Sequence, residues 1–413
     1  MRHLLIPFFL FPLFSFAQDS RALSLADVEK LWQQHSRELH LAEANLNSAA
    51  ADLRITGQRP NPVLSLNVLS INSWSSDRNG SWNEKKADAQ LRIDQLLERG
   101  NKRELRIKSS ESRLAAARFD LEETARQQLG ILRNAYFDLR LAQEKLALAR
   151  DAANLYGKSV DLGRIRQKSG DIAPVDLSRL QIDKAKADGD ARQMQMGLEQ
   201  AQYALAYLIG RENEAKQLIA TDNWPPLEKH ELIPLPLAQR PDIEAAKTRI
   251  IAAEANRDLA RAQTRRDVTI GLQFERNGQN MPANSVGLGV SVPIFAWHEH
   301  EGDIARSEVD FDMARLQYEQ QQAQAAASIA QAKSALLSAS DRYKGMEGGQ
   351  LADAERVARG AELAYEKGAM SLLELLDARR TLRQTQIEAA TAHADYAKAL
   401  SDWQIQAEFR TLK

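Results

Sequence analysis

The chain has 413 residues, and its 55 Lys+Arg against 56 Asp+Glu leave a net charge of -1. That balance argues against nucleic acid as a main partner, because phosphate binding needs a basic face. The absence of Cys excludes disulfides, thiolate metal sites, Cys nucleophiles and a lipoprotein anchor.

Residues 1–17 read MRHLLIPFFLFPLFSFA. Arg2 gives a positive end, Leu4 to Phe14 an apolar core, and Ser15 and Ala17 small residues at the -3 and -1 positions. The expectation is a secretory signal peptide cleaved before Gln18; the run is too short for a membrane anchor. No later stretch approaches 18 consecutive apolar residues, so any membrane crossing must be made by a β-barrel.

Beyond residue 17 the chain reads as a duplicated unit. Residues 36–66 and 241–271 each run from an Ala-rich helix into a Val-started strand. AQLRIDQLL (89–97) and VGLGVSVPI (286–294) form a second pair, each alternating and then entering a long helical stretch. RIRQKSGDIAPVDLSRLQ (164–181) and AYEKGAMSLLELLDARRT (364–381) form a third, with Gly170 opposite Gly368. The expected domains are a first repeat over 18–212, a linker over 213–240 and a second repeat over 241–413. Each repeat is read as helix, strand, loop, strand, very long helix, turn, helix.

Four strands are expected, at 63–70, 88–97, 268–276 and 285–294. Each has the length of a tilted membrane strand, and most alternate apolar with polar residues. The loops between them, 71–87 and 277–284, are polar, with Trp74 and Trp82 in the first. A small soluble sheet fits the alternation too. Four strands cannot close a barrel, which needs about eight, so a membrane reading requires several chains; three protomers give twelve strands.

The long helices carry heptads. One seam is Leu114, Leu121, Gln128, Ala135, Ala142 and Ala149; the other is Ala125, Leu132, Leu139, Leu146 and Ala153. The first is mostly Ala, which lets a neighbour approach closely. A helix from about residue 100 to Lys168 would be roughly 100 Å long. Its counterpart, from about Asp303 to Lys367, contains Gly345, Gly348 and Gly349, which should weaken or kink it.

A duplicated strand–strand–long-helix unit behind a signal peptide resembles the TolC family of outer-membrane channels. AYEKGAMSLLELLDARRTLRQTQ (364–386), RPDIEAAKTRIIAAEA (240–255) and SVPIF (291–295) carry the resemblance. RPNPVLSL (59–66) and IDQLLERGNKRELRI (93–107) make it most like the CzcC-type branch of heavy-metal cation efflux. The resemblance implies a homotrimer spanning outer membrane and periplasm, with a 12-stranded β-barrel above a coiled-coil helical barrel. It implies outer-membrane lipid, a periplasmic adaptor and an inner-membrane RND-type pump as partners, and no cofactor. It places a gate at the helical turns, 169–177 and 367–377. Asp176, Glu374 and Asp377 match its acidic aperture positions and Tyr365 its gate tyrosine. Gly170, Asp171, Gly368, Ala369 and Met370 fall where an adaptor would dock. Where the family often has a basic partner for the gate acids, Met370 stands here; Arg379 or Arg166 could substitute. Four of the site residues have a plainer reading. Asp176 is an acid in a first helical turn, Tyr365 a packing aromatic, and the glycines are turn residues.

Other chemistry is weakly signalled. Trp297-His298-Glu299-His300-Glu301 is the one dense His/Glu cluster, but it lacks the i, i+4 spacing of HExxH, so a solvated helix start is expected. No P-loop, G-x-S-x-G or HExxH occurs, so no enzyme activity is expected. The alternatives to metal export are a drug or organic-solute duct and a periplasmic coiled-coil scaffold without a barrel.

Overall fold

The computed structural model describes residues 21–69, 87–228, 232–277 and 283–407. The signal peptide, Trp74, Trp82 and most of the two strand-connecting loops lie outside them. In chain order the elements are β1 (Arg21–Leu23), α1 (Leu25–His35), α2 (Arg37–Gly57), β2 (Val63–Leu69), β3 (Asp88–Leu97), α3 (Lys102–Lys168) and α4 (Pro174–Leu208). There follow β4 (Leu218–Ala220), α5 (Pro241–Ala262), β5 (Val268–Asn277), β6 (Ala283–Ser291), α6 (Glu301–Gly345), α7 (Leu351–Glu366) and α8 (Leu372–Ala407). Among the described residues no helix is long and apolar enough to cross a membrane.

The four expected strands form, with shifted ends. The last stops at Ser291 rather than residue 294. Its partner β5 begins only at Val268, and Pro293 has no N–H to offer a ladder, so pairing does not continue to residue 294. The first ends at Leu69 and the third extends to Asn277. The helix expected from Asp303 to Lys367 is broken where its glycines predict. A π-turn at Met346–Gln350 separates α6 from α7, and Gly349 there has φ 144, open to glycine alone.

The chain forms two compact units. Of the described residues, the first comprises those within 21–40, 126–234 and 329–407; the second comprises those within 41–125 and 235–328. Both sequence halves contribute to both units.

The first unit is helical around a small parallel pair, β1 beside β4, with Arg21 opposite Leu218 and Leu23 opposite Ala220. The Tyr136 hydroxyl donates to the Leu23 carbonyl and accepts from the Asp222 amide, both at 3.1 Å. Burial pushes its phenol up to about 12. The Leu seam of α3 is core: Leu132, Leu139 and Leu146 are all buried. Ala135 and Ala142 of the Ala seam instead line an open apolar groove between α3 and α4, with Ile131, Met194, Ala201 and Ala204.

The second unit carries an antiparallel sheet in the order β2-β3-β5-β6, leaving β2 and β6 as its edges. Residues directly opposite across an antiparallel ladder share a face, so the register sorts the side chains. Leu64, Ile93, Leu272 and Leu288 form one row; Leu66, Leu91, Phe274 and Val286 form the next. Ile270 and Val290 extend the same face. All ten are exposed, Leu288 by 83% and Leu272 by 51%. The opposite face carries Ser65, Asn67, Gln90, Arg92, Asp94, Gln273 and Glu275, with Gly271, Gly287 and Gly289. The Arg92 guanidinium donates to Asp94 at 2.8 Å, and Gln90 donates to Gln273 at 3.1 Å. A Cβ at Gly271 would strike the Asp94 carboxylate and the Arg92 guanidinium, so this polar face is filled to the backbone.

Candidate functional site at the helical turns

Both helical hairpins of the first unit end in one design. Gly170 (φ 84) and Gly368 (φ 74) take the left-handed conformation that an L side chain resists. The Asp171 amide donates to the Arg166 carbonyl at 2.9 Å, and Gly170 to Gln167 at 3.0 Å. The Ala369 amide donates to the Ala364 carbonyl at 2.8 Å, and Gly368 to Tyr365 at 3.1 Å. These are two Schellman caps, each closing its helix with a paired bond. The next helix starts three residues later in both, at Ala173–Pro174 and at Ser371–Leu372. The expectation that Gly170 and Gly368 act through their backbone is met.

Asp176 and Glu374 therefore hold matching places in the first turns of α4 and α8. Glu374 closes a capping box: it accepts from the Ser371 amide at 2.9 Å and hydroxyl at 2.8 Å, while its own amide donates back to Ser371 at 3.3 Å. The Ser371 amide, then its hydroxyl, holds this carboxyl below its ordinary range. Ala173 offers Asp176 no such partner. Asp176 is half-buried, with Arg179 at 3.8 Å. Asp377, one turn beyond Glu374, is exposed.

The elements flanking the two turns come together. Tyr156 and Val160 of α3, Leu177 and Leu180 of α4, and Leu376 of α8 form one buried cluster, joined by Ile172 and Leu372. Tyr365 and Met370 pack against Ala361, Leu375 and Ala378. Met370 is thus held in packing, while Gly170, Asp171, Gly368 and Ala369 stand exposed.

Both candidate basic residues lie here. The Arg166 guanidinium sits 5.2 Å from the centre of the Tyr365 ring. Arg379 pairs with Glu362 at 3.0 Å and donates to the Ser159 hydroxyl at 2.9 Å, linking α7, α8 and α3. Arg166, Tyr365, Glu362 and Arg379 line one cavity of about 220 Å³ with Leu162 and Leu375. Two contacts that sequence reasoning missed tie α8 to α4: Arg380 to Asp183 at 2.5 Å and Arg383 to Asp190 at 2.6 Å. Asp183 is nearly buried, and no spacing rule pairs residues so far apart in sequence.

The His cluster lies in the second unit. The His298 and His300 rings are 5.6 Å apart, and His300 Nδ1 is 3.1 Å from Asp303. Among the described residues no group of three or more His, Asp or Glu is arranged to hold a metal ion.

The outer membrane efflux protein profile matches residues 30–211 and 232–402, and the chain belongs to that family. Its members are channels of the outer membrane, not enzymes, and the scaffold alternative gives way to this assignment. The cobalt-zinc-cadmium resistance protein CzcC of Cupriavidus metallidurans is 24% identical, over 94% of this chain and 95% of that protein. The cation efflux system protein CusC of Escherichia coli O157:H7 is 25% identical, over 86% of this chain and 80% of its own. The VceC outer membrane protein of Vibrio cholerae shares the fold, with a TM-score of 0.75 and 21% identity over 94% of this chain and 97% of VceC.

Proposed function

We propose that this outer-membrane efflux channel works as a homotrimer, exporting divalent heavy-metal cations handed on by a periplasmic adaptor and an inner-membrane RND-type pump. The observation that carries the trimer is the four-stranded sheet with its exposed apolar face and two free edges. Four strands do not close, and three copies supply the twelve that do. The Ala-lined groove between α3 and α4 offers a seat for a neighbouring helix. A conduit of this kind needs no bond chemistry. Its energy and much of its substrate choice come from the pump.

The gate is assigned to Asp176, Glu374, Asp377 and Tyr365. Threefold symmetry turns each carboxylate into a ring of three, which concentrates cations and repels anions. The adaptor is assigned to Gly170, Asp171, Gly368, Ala369 and Met370. Neutralising the three acids together (Asp176→Asn, Glu374→Gln, Asp377→Asn) should lower the cation-to-anion permeability ratio, read from the reversal potential in a KCl gradient. Gln still serves in a capping box, so this triple change alters charge with little cost to the first turn of α8. An unchanged reversal potential contradicts the assignment.

Metal cargo rests on similarity to proteins named for cation resistance and efflux. An organic cargo is the second reading: the pyoverdine export protein OpmQ of Pseudomonas putida is also 24% identical, over 67% of this chain. Deletion of the gene should raise sensitivity to zinc, cobalt or cadmium salts and leave sensitivity to organic toxicants unchanged. The reverse pattern, in a plate assay of growth inhibition, selects the organic reading.

A further inference from the structure

We infer that the end of the sheet nearest the long helices is a binding surface for anionic phospholipid headgroups. It rests on the membrane reading of the sheet and goes beyond it by naming the lipid chemistry. The register brings the start of β2, the end of β3, the start of β5 and the end of β6 to one edge of the apolar face: Leu97 lies opposite Val268 and Thr269 opposite Ser291. The Gln95 side chain, donating to the Pro60 carbonyl at 3.1 Å, ties the approach to β2 to the same end.

Four arginines are set there, Arg59 before β2, Arg99 after β3, and Arg265 and Arg266 before β5. All four are exposed, and among the described residues none of their guanidinium groups is paired with a carboxylate; the one carboxylate contact is through the Arg99 backbone amide, which donates to Asp267 at 2.8 Å. The side chains of three nearby acids are engaged by other groups than these guanidiniums. Glu98 pairs with Arg106 at 2.6 Å, Asp267 with Lys102 at 2.9 Å, and Glu301 accepts from the Glu299 amide. Glu299 itself is exposed beside His298. The Arg266 guanidinium lies over the Phe295 ring at 5.1 Å, which holds it beside the apolar segment rather than against an acid.

The same end bears a large apolar extension. Past β6, Ile294 is 81% exposed and Trp297 95%. A tryptophan so open to water, shortly after a strand whose one face bears exposed Leu and Val, has the placement of a ring at a lipid headgroup boundary. Unpaired guanidinium groups at that level meet phosphate oxygens with charge and geometry that a neutral lipid face does not fully use. The occupant is therefore the periplasm-facing leaflet, enriched locally in acidic lipid.

The test uses the full chain in phosphatidylcholine vesicles doped with either brominated phosphatidylglycerol or brominated phosphatidylcholine. Trp297 emission is isolated as the difference between the wild type and Trp297→Phe. The acidic lipid should reach half-quenching at about five-fold lower mole fraction than the neutral one, the worth of about one basic residue at an anionic surface. That advantage should vanish at high salt. It should also vanish in the variant Arg59→Gln, Arg99→Gln, Arg265→Gln, Arg266→Gln. Equal quenching by both lipids in the wild type overturns the inference, as does a preference that survives in the variant. If the variant does not fold, the salt dependence of the wild type decides. Failure of the wild type to float with vesicles of any composition is a separate result; it removes the membrane reading of the sheet and this surface with it.

Discussion

Leu272→Arg should remove the protein from the outer membrane, while Gln273→Glu, one residue along the same strand, should leave it there. Leu272 stands in the middle of an exposed apolar row, with Ile93 on one side and Leu288 on the other. If that face meets lipid, an arginine near the bilayer centre costs about 2–4 kcal/mol per copy. The proposed trimer would carry the change three times. Gln273 lies on the opposite face, directly across from Arg92, where a carboxylate gains an ionic neighbour. Recovery in the outer-membrane fraction, and oligomers that survive detergent until heated, read both results. Equal behaviour of the two variants contradicts the assignment of faces.

Arg240→Ala should destabilise the chain by about 3–5 kcal/mol. Arg240 and Asp242 are both almost fully buried at the start of α5. The guanidinium makes two parallel contacts with the carboxylate, at 3.0 and 2.7 Å. Asp242 also accepts from the Ile243 amide at 2.9 Å and from Gln321 at 2.8 Å. Removing the arginine leaves a buried carboxylate without its counter-charge, the costly way to break such a pair. Lysine cannot reproduce the planar fork, so Arg240→Lys should fall between wild type and alanine. Arg240→Ala with Asp242→Ala should recover part of the loss, because both charges then leave together. Denaturant unfolding followed by circular dichroism measures all four proteins. A double variant less stable than Arg240→Ala counts against this account.

That pair shows where the sequence stopped being readable. RPDIEAAKTRIIAAEA was legible as a helix, but nothing in its pattern says that its first two charges are buried. Charged residues are rarely buried, so a reading by hydropathy places them in water. The large elements were legible because long repeats and glycine punctuation leave strong local marks. Gly170 and Gly368 marked both turns, and Gly345 to Gly349 marked the break between α6 and α7. The parallel pair β1 and β4 was not legible, since three residues carry no measurable period and their partner lies far along the chain. At the turns, Ser371-Leu372-Leu373-Glu374 carried a capping-box signature in plain sight. The family resemblance marks Glu374 only as an aperture acid. Its carboxylate serves the helix start as well, so its gate role must be tested with a residue that still caps. The links Arg380–Asp183 and Arg383–Asp190 depend on how two hairpins pack, which local pattern does not encode.

The most direct test of the central claim uses the absence of cysteine from the chain. Single cysteines at positions 270, 272, 274, 273 and 275 are introduced one at a time and exposed, in intact outer membranes, to a charged thiol reagent confined to water. Gln273→Cys and Glu275→Cys should react, because their face lines an aqueous lumen. Ile270→Cys, Leu272→Cys and Phe274→Cys should stay unreactive, because theirs is covered by lipid. Uniform reactivity, or the opposite alternation, would contradict the reading of this chain as a barrel-forming channel.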